Sequence, residues 1–241
     1  MRGKNVLGLN FIGFKIDEQQ PWKISDVIFT YVFIFVLSLV IVGVLMYASI
    51  DSNMGLYTAL VQLGLSLVTF LIVYSIVTRK YNVSFNEAFG IDFDKTYFFL
   101  KNGLLAAVII IITTSFINLM FSGYYGSSSE ESPYDFMSAD KIRAIVFLAI
   151  FIAPVIEEIF FRGFMQPALV KSMGAFPGIF MTAVIFGISH TQYINYDIAL
   201  ISVTCIGLIL GVTKYYTNSI LPGIFAHLLN NLLAVMSLLA S

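Results

Sequence analysis

Long uncharged stretches separated by short polar connections occupy most of the sequence. The stretch from Val27 to Ile50 contains no charged residue. At 1.5 Å per residue it is long enough to cross a hydrocarbon core of about 30 Å. The pattern predicts membrane spans at about Val27–Ile50, Leu56–Thr78, Phe98–Ser122, Ile142–Leu169, Pro177–Tyr193, Ile198–Val212 and Ser219–Leu239. The expected fold is an all-α, polytopic transmembrane helix bundle of about seven spans, within a range of about six to eight.

The amino-acid composition agrees with this pattern and argues against nucleic acid as a partner. The 241 residues are 59% hydrophobic and 11% charged, with a mean hydropathy of +0.90. Soluble domains carry about 25% charged residues, so a soluble fold is not expected and the lipid bilayer is the expected surrounding. The formal net charge of -1 provides no basic excess for nucleic acid. The single cysteine, Cys205, lies in an apolar run, where we expect a small buried residue and no intrachain disulfide.

The chain divides by polarity into four parts of one membrane domain. We expect 1–25 to be a cytoplasmic N-terminal segment with Trp22 at the headgroups, and 26–122 to hold the first three spans. The range 123–141, rich in Ser, Gly, Tyr and acidic residues, is expected to be an extracytoplasmic loop, and 142–241 a membrane core. Lys and Arg concentrate in alternate connections, which predicts a cytoplasmic N-terminus. No cleavable signal pattern is seen, so the first span is interpreted as an uncleaved anchor.

Glu157, Glu158 and Arg162 form a group of ionisable residues in the middle of the fourth span. Such residues are costly at membrane depth and indicate a functional site by default. Glu158 and Arg162 are four residues apart, so they can pair along one helix face. Glu157 is rotated by about 100° and has no evident intrahelical partner, which suits general base or acid work. A purely structural ion-pair network is the alternative, although one arginine would leave one carboxylate unexplained.

The only two histidines of the sequence, His190 and His227, fall in the fifth and seventh spans. Asn231 follows His227 by four residues and shares its helix face. The helical rise places Glu157 at roughly 18 Å from the cytoplasmic side, His190 at roughly 20 Å, His227 at roughly 12 Å and Asn231 near about 18 Å. Three helices therefore bring polar side chains to a similar level, which favours one site over separate interhelical hydrogen bonds.

These motifs, in this order, resemble those of a known family. Glu157-Glu158-x-x-x-Arg162, Phe186-x-x-x-His190 and His227-x-x-x-Asn231 are similar to the motifs of the CAAX protease and bacteriocin-processing family, also called Abi. The family comprises intramembrane proteases and includes the type II CAAX prenyl endopeptidases. Ala153-Pro154 also resembles the usual lead-in, and the resemblance covers about 140–240.

The resemblance implies hydrolysis of a peptide bond within the membrane. It implies that Glu157 and His190 activate a water molecule, while His227 and Asn231 stabilise the oxyanion. The pair formed by Glu158 and the arginine of the first motif would support this set. The implied substrate is a membrane-associated peptide or protein, and the implied location is the cell membrane of a bacterium, with several spans.

The sequence leaves open whether the implied hydrolysis depends on a metal. Glu157, His190 and His227 could hold zinc with one open position. The sequence contains no His-Glu-x-x-His motif, and water activated by a glutamate requires no further residues. Metal-free hydrolysis is therefore the preferred interpretation.

Two other functions would also use ionisable residues inside a membrane bundle. The chain could be a non-catalytic membrane partner in bacteriocin immunity or signalling regulation, since a fold does not certify activity. A proton-coupled carrier is disfavoured because the sequence has no inverted repeat.

Gly207-x-x-x-Gly211 fits a small-residue helix contact, which could lie inside the bundle or join two protomers in a homodimer.

Overall fold

The computed structural model describes residues 20–47, 54–122, 148–190 and 197–240, and all regular elements in these ranges are helices. The N-terminal elements are α1 Ile24–Tyr47, α2 Met54–Ser75 with a π-helical extension Ile76–Lys80, α3 Phe85–Phe89, a 3-10 turn Phe93–Lys95 and α4 Thr96–Ser122. A composite helix over 148–173 then comprises a π-helical turn Leu148–Ile152, α5 Ala153–Glu157, a π-helical segment Glu158–Met165 and α6 Gln166–Met173. The last elements are α7 Ala175–Ser189, α8 Asp197–Thr217 and α9 Leu221–Ala240.

These helices confirm the predicted all-α, multi-pass membrane bundle. In the described ranges, four helical runs are long and apolar enough to cross a membrane: Ile24–Leu45, Ala59–Lys80, Phe85–Phe121 and Asp197–Thr217. Two shorter apolar helices are Ala175–Ser189 and Leu221–Met236. The fifth helix ends earlier than predicted, at Ser189, and the sixth continues further, to Thr217. The predicted loop 123–141 and the first residues of the fourth span lie outside the described residues.

The composite helix lies at the centre of the bundle. It packs against α1 and α2 on one side and against α7, α8 and α9 on the other. Its buried aromatic residues Phe160, Phe161 and Phe164 belong to the main hydrophobic core. Helix α4 packs on the outside of α8 and α9, through a second apolar cluster. The segment Glu158–Met165 of the composite helix is therefore surrounded by protein, as ionisable groups at membrane depth require.

The two glycines of the Gly207-x-x-x-Gly211 motif face inward. A Cβ atom at Gly207 would lie 2.9 Å from Cδ1 of Phe186, and one at Gly211 would lie 2.8 Å from Oε1 of Gln166. Side chains of any size would therefore collide with α7 and the composite helix. The motif serves close helix packing within one chain, which answers the question that the sequence left open.

Trp22, which the sequence predicts at the level of the headgroups, is enclosed by protein. Its side chain is 1% exposed. The indole Nε1–H donates a 2.8 Å hydrogen bond to the carbonyl of Phe164, and the ring lies beside those of Phe89 and Phe164. A buried tryptophan needs such an acceptor for its N–H group. Trp22 therefore attaches the segment before α1 to the composite helix.

A polar cluster joins the start of α1 to the end of α2. Lys80 Nζ lies 2.5 Å from Oδ1 of Asp26, and the Tyr81 hydroxyl donates a 2.6 Å hydrogen bond to Oδ2. The hydrogen bond to the Asp26 carboxylate raises the pKa of Tyr81. The cluster keeps the two helices together at this end of the bundle.

Candidate active site

The composite helix changes its winding at the predicted ionisable residues. Pro154 lies in the first turn of α5, directly after the π-helical turn, and it has no backbone N–H to donate. The π-helical segment begins at Glu158, directly after Glu157, and all of its residues are buried. Most π-helical segments are single turns, and they occur frequently at functional sites. An eight-residue segment at this place is a structural reason to look for a site here.

Glu158 and Arg162 form the ion pair that the sequence predicted. Arg162 Nη1 lies 2.9 Å from Glu158 Oε1, and both side chains are 0% exposed. Arg162 Nη2 also donates a 3.2 Å hydrogen bond to the carbonyl of Gly207. The guanidinium carbon lies 4.1 Å from the ring centroid of Phe186, a distance suited to a cation–π contact. A carboxylate, a carbonyl and an aromatic ring thus surround this buried cation.

His227 connects the two glutamates. Its Nδ1 lies 3.2 Å from Glu158 Oε1, and its Nε2 lies 3.7 Å from Glu157 Oε2. The ring is 5% exposed. A neutral imidazole that donates its Nδ1–H to Glu158 would turn the unprotonated Nε2 toward Glu157. The sequence did not predict the contact between His227 and Glu158.

His190 reaches the site from the C-terminal cap of α7. Its Nδ1 lies 2.8 Å from the carbonyl of Phe186, and its Nε2 lies 3.9 Å from Glu157 Oε2. Because a carbonyl only accepts hydrogen bonds, Nδ1 is the donor and carries the proton. The Phe186 ring also packs edge-on against the imidazole, with centroids 4.6 Å apart. The spacing Phe186-x-x-x-His190 thus fixes both the position and the tautomer of the histidine.

Glu157 lies where these contacts converge. The structure brings its Oε2 within 4 Å of the Nε2 atoms of both histidines, which come from α7 and α9. Its side chain is 24% exposed, whereas Glu158 and Arg162 are fully buried. Glu157 is therefore the most accessible of these ionisable groups.

Asn231 lies one helical turn after His227 on α9. Its side-chain oxygen accepts a 3.3 Å hydrogen bond from Nδ2 of Asn230, and the residue is half-buried. Because α9 is helical over both residues, the four-residue spacing puts Asn231 on the face that carries His227.

Gly223 is a part of the site that sequence reasoning missed. A Cβ atom there would lie 2.6 Å from Oε2 of Glu158, so only glycine leaves room for this carboxylate. The available signal was its position one turn before His227, which places a small residue on the same helix face.

The donors raised for zinc do not form a metal site as they are arranged here. Across the described ranges, no group of three or more His, Cys, Asp or Glu side chains could hold a metal ion. His227 Nδ1 is directed to Glu158, and the two Nε2 atoms lie 3.7 and 3.9 Å from the Glu157 oxygen.

Fold and site together define a multi-pass membrane protein with a carboxylate–histidine cluster in its interior. Residues 140–233 match the family model described as type II CAAX prenyl endopeptidase Rce1-like. The match covers the part of the chain that carries the three motifs and confirms their resemblance to this family. No curated protein and no solved structure gives a significant match to the chain. The family supports an intramembrane protease and does not favour a non-catalytic partner.

Proposed function

We propose that this protein is an intramembrane endopeptidase that hydrolyses a peptide bond in a membrane-associated peptide or protein. One observation carries the proposal: the partly exposed carboxylate of Glu157 faces the Nε2 atoms of His190 and His227 at 3.9 and 3.7 Å. Ionisable groups that converge inside a membrane bundle are expensive and are typical of function.

The separations suit a water molecule between the carboxylate and His190. Both distances exceed a direct hydrogen bond, and polar groups at such distances are often bridged by water. Because His190 Nδ1 donates to a carbonyl, its Nε2 can accept one proton of this water while Glu157 accepts the other. The water oxygen would then attack the scissile carbonyl carbon, and Glu157 would take its proton and pass it to the leaving amine.

His227 and Asn231 would stabilise the oxyanion. For this role the His227 Nε2 must carry a proton, which requires an imidazolium when Nδ1–H also donates to Glu158. The carboxylate of Glu158 can stabilise that charge, and Arg162 holds the carboxylate in place. The Asn231 amide lies one turn further along α9 and can supply a second donor.

The location is part of the proposal. We place the protein in the cell membrane of a bacterium, with the N-terminus cytoplasmic because Lys and Arg occupy alternate connections. The range 142–241, which contains the composite helix and α7 to α9, would be the catalytic core, and 123–141 the extracytoplasmic loop. Labelling of single cysteines placed at either end of α2 with a membrane-impermeant reagent tests this orientation.

The experiment compares wild type with Glu157→Gln in detergent against a quenched-fluorescence peptide library, with and without a chelator. Glu87→Gln is the matched control, because Glu87 is exposed on α3. We expect Glu157→Gln to lose at least about a hundredfold in cleavage rate, the usual contribution of a general base. Glu87→Gln should cleave like wild type, and all three proteins should unfold at similar temperatures.

Cleavage by Glu157→Gln at the wild-type rate would overturn the assigned role. No cleavage by wild type of any peptide, together with complementation of a deletion strain by Glu157→Gln, would instead support the non-catalytic partner. Loss of cleavage in chelator that added zinc restores would overturn the metal-free mechanism.

A further inference from the structure

A second polar contact between the composite helix and α8 lies one turn beyond Arg162. Gln166 is 3% exposed, and its Nε2 donates a 2.9 Å hydrogen bond to the carbonyl of Gly211. Arg162 Nη2 makes the equivalent bond to the carbonyl of Gly207, at 3.2 Å. The two donors are four residues apart on one helix, and the two acceptors are four residues apart on the other. The bonds therefore run in parallel across one interface.

The carbonyls of Gly207 and Gly211 can accept these bonds because neither residue has a side chain that would keep the composite helix away. A backbone carbonyl in a helix has a second lone pair, which only a closely approaching side chain can use. A Cβ atom at Gly211 would lie only 2.8 Å from Oε1 of Gln166. A polar amide in apolar surroundings needs a partner, so this bond fixes how far α8 stands from the composite helix.

The position of α8 affects the site through Arg162. The Gly207 carbonyl and the Phe186 ring hold the guanidinium, which in turn lies on Glu158 Oε1. The same oxygen is 3.2 Å from Nδ1 of His227. A shift of α8 would therefore move the carbonyl away from Arg162 and change the orientation of the Glu158 carboxylate and of the imidazole.

We propose that Gln166 is a positioning residue for the reaction. Its bond to Gly211 fixes the register of α8 against the composite helix, and this keeps Arg162 and Glu158 where they orient His227. Gln166 itself touches no reacting atom. The inference rests on the proposed endopeptidase function, but the geometry that it requires can be measured without activity.

The test uses Gln166→Leu, which removes the donor at similar volume, and Gly211→Ala, which pushes against the amide. Thr182→Val is the matched control, since the Thr182 hydroxyl is equally buried but bonds to Gly178 within its own helix. Loss of one buried hydrogen bond corresponds to about tenfold in an equilibrium or a rate. We expect Gln166→Leu and Gly211→Ala each to lower kcat by about tenfold at nearly constant KM. The double variant should be little worse than either single variant, because both break the same contact.

A second readout is the imidazole nitrogen spectrum of histidine-labelled protein. The sequence contains only two histidines, so the His227 signals can be assigned with one His190 variant. Gln166→Leu should shift the His227 signals, and Thr182→Val should leave them unchanged. Unchanged His227 signals, or a loss of thermal stability at wild-type kcat, would overturn the positioning role. A wild type without any cleavage would contradict the endopeptidase function, while the spectra would still decide the role of Gln166.

Discussion

Arg162 offers a sharp test of the buried network, because one side chain makes three different contacts. Lysine at this position keeps the positive charge near Glu158 but has a single nitrogen. It cannot also reach the Gly207 carbonyl, whose bond to a charged donor is worth about 1.5–3 kcal/mol. Methionine removes the charge, so the buried Glu158 keeps its contact with His227 but loses its arginine; removing one partner of a buried ion pair typically costs about 3–5 kcal/mol. We therefore expect Arg162→Met to reduce the free energy of unfolding more than Arg162→Lys.

A second substitution tests whether the missing charge is the reason that Arg162→Met is less stable. If a buried carboxylate without its arginine destabilises Arg162→Met, then Glu158→Gln in the same chain should recover part of the loss, because an amide is much cheaper to bury than a carboxylate. Chemical unfolding of the detergent-solubilised proteins would measure this. Lys95→Met is the control, since Lys95 forms an exposed pair with Asp92 and should change stability little. A double variant no more stable than Arg162→Met would refute the reasoning.

Two further predictions concern the packing around this network. Gly223→Ala places a Cβ 2.6 Å from Glu158 Oε2, so we expect it to abolish most peptide cleavage. In Gly103→Ala the new Cβ lies 2.8 Å from the Phe225 ring instead, so this variant should lose thermal stability but keep its kcat. Equal kcat losses in both variants would show a general packing effect. Trp22→Phe removes the hydrogen bond to the Phe164 carbonyl and should cost about 1 kcal/mol of unfolding free energy. The wild-type fluorescence of this single tryptophan should resist quenching by iodide, and strong quenching would contradict its burial.

The apolar pattern was sufficient to predict the helices, because a membrane permits few alternatives. Uncharged runs of about 20 residues must be helical in lipid, since every backbone group needs a partner there. The pattern thus located α1, α2, α4 and α8 within a few residues. Helix ends were less predictable, since nothing in the apolar run marks where α7 stops at Ser189.

The meeting of Glu157 with the histidines was predictable for a related reason. Ionisable residues are rare in the spans, so a common depth on three helices left few ways to arrange them. The contact between His227 and Glu158 depends on how each helix is rotated about its axis, which depth alone does not determine. The carbonyls of Gly207 and Gly211 could not be foreseen either, because a backbone acceptor has no side-chain signature.

Trp22 makes contacts that the general rule for tryptophan does not predict. Tryptophan beside a polar segment usually lies at the headgroups, where its amphipathic ring is stable. Here the Phe164 carbonyl satisfies the indole N–H, and the rings of Phe89 and Phe164 cover the remainder. The sequence could not reveal this acceptor, which belongs to a residue more than a hundred positions away.

The exposed fraction of the side chains rises from the Glu158–Arg162 pair through His227 to Glu157. This order argues that the buried pair serves to orient His227. Glu158 and Arg162 are 0% exposed, His227 is 5% exposed, and Glu157 is 24% exposed. If stability alone mattered, apolar side chains of similar volume would often serve as well as a buried ion pair. The pair does something that apolar residues cannot do: it presents a fixed carboxylate oxygen to His227 Nδ1 and so sets the direction of Nε2 toward Glu157. In the proposed mechanism, a His227 ring oriented in this way beside the accessible Glu157 would have its Nε2 in place for the oxyanion, and this would give the costly buried charges a physical reason.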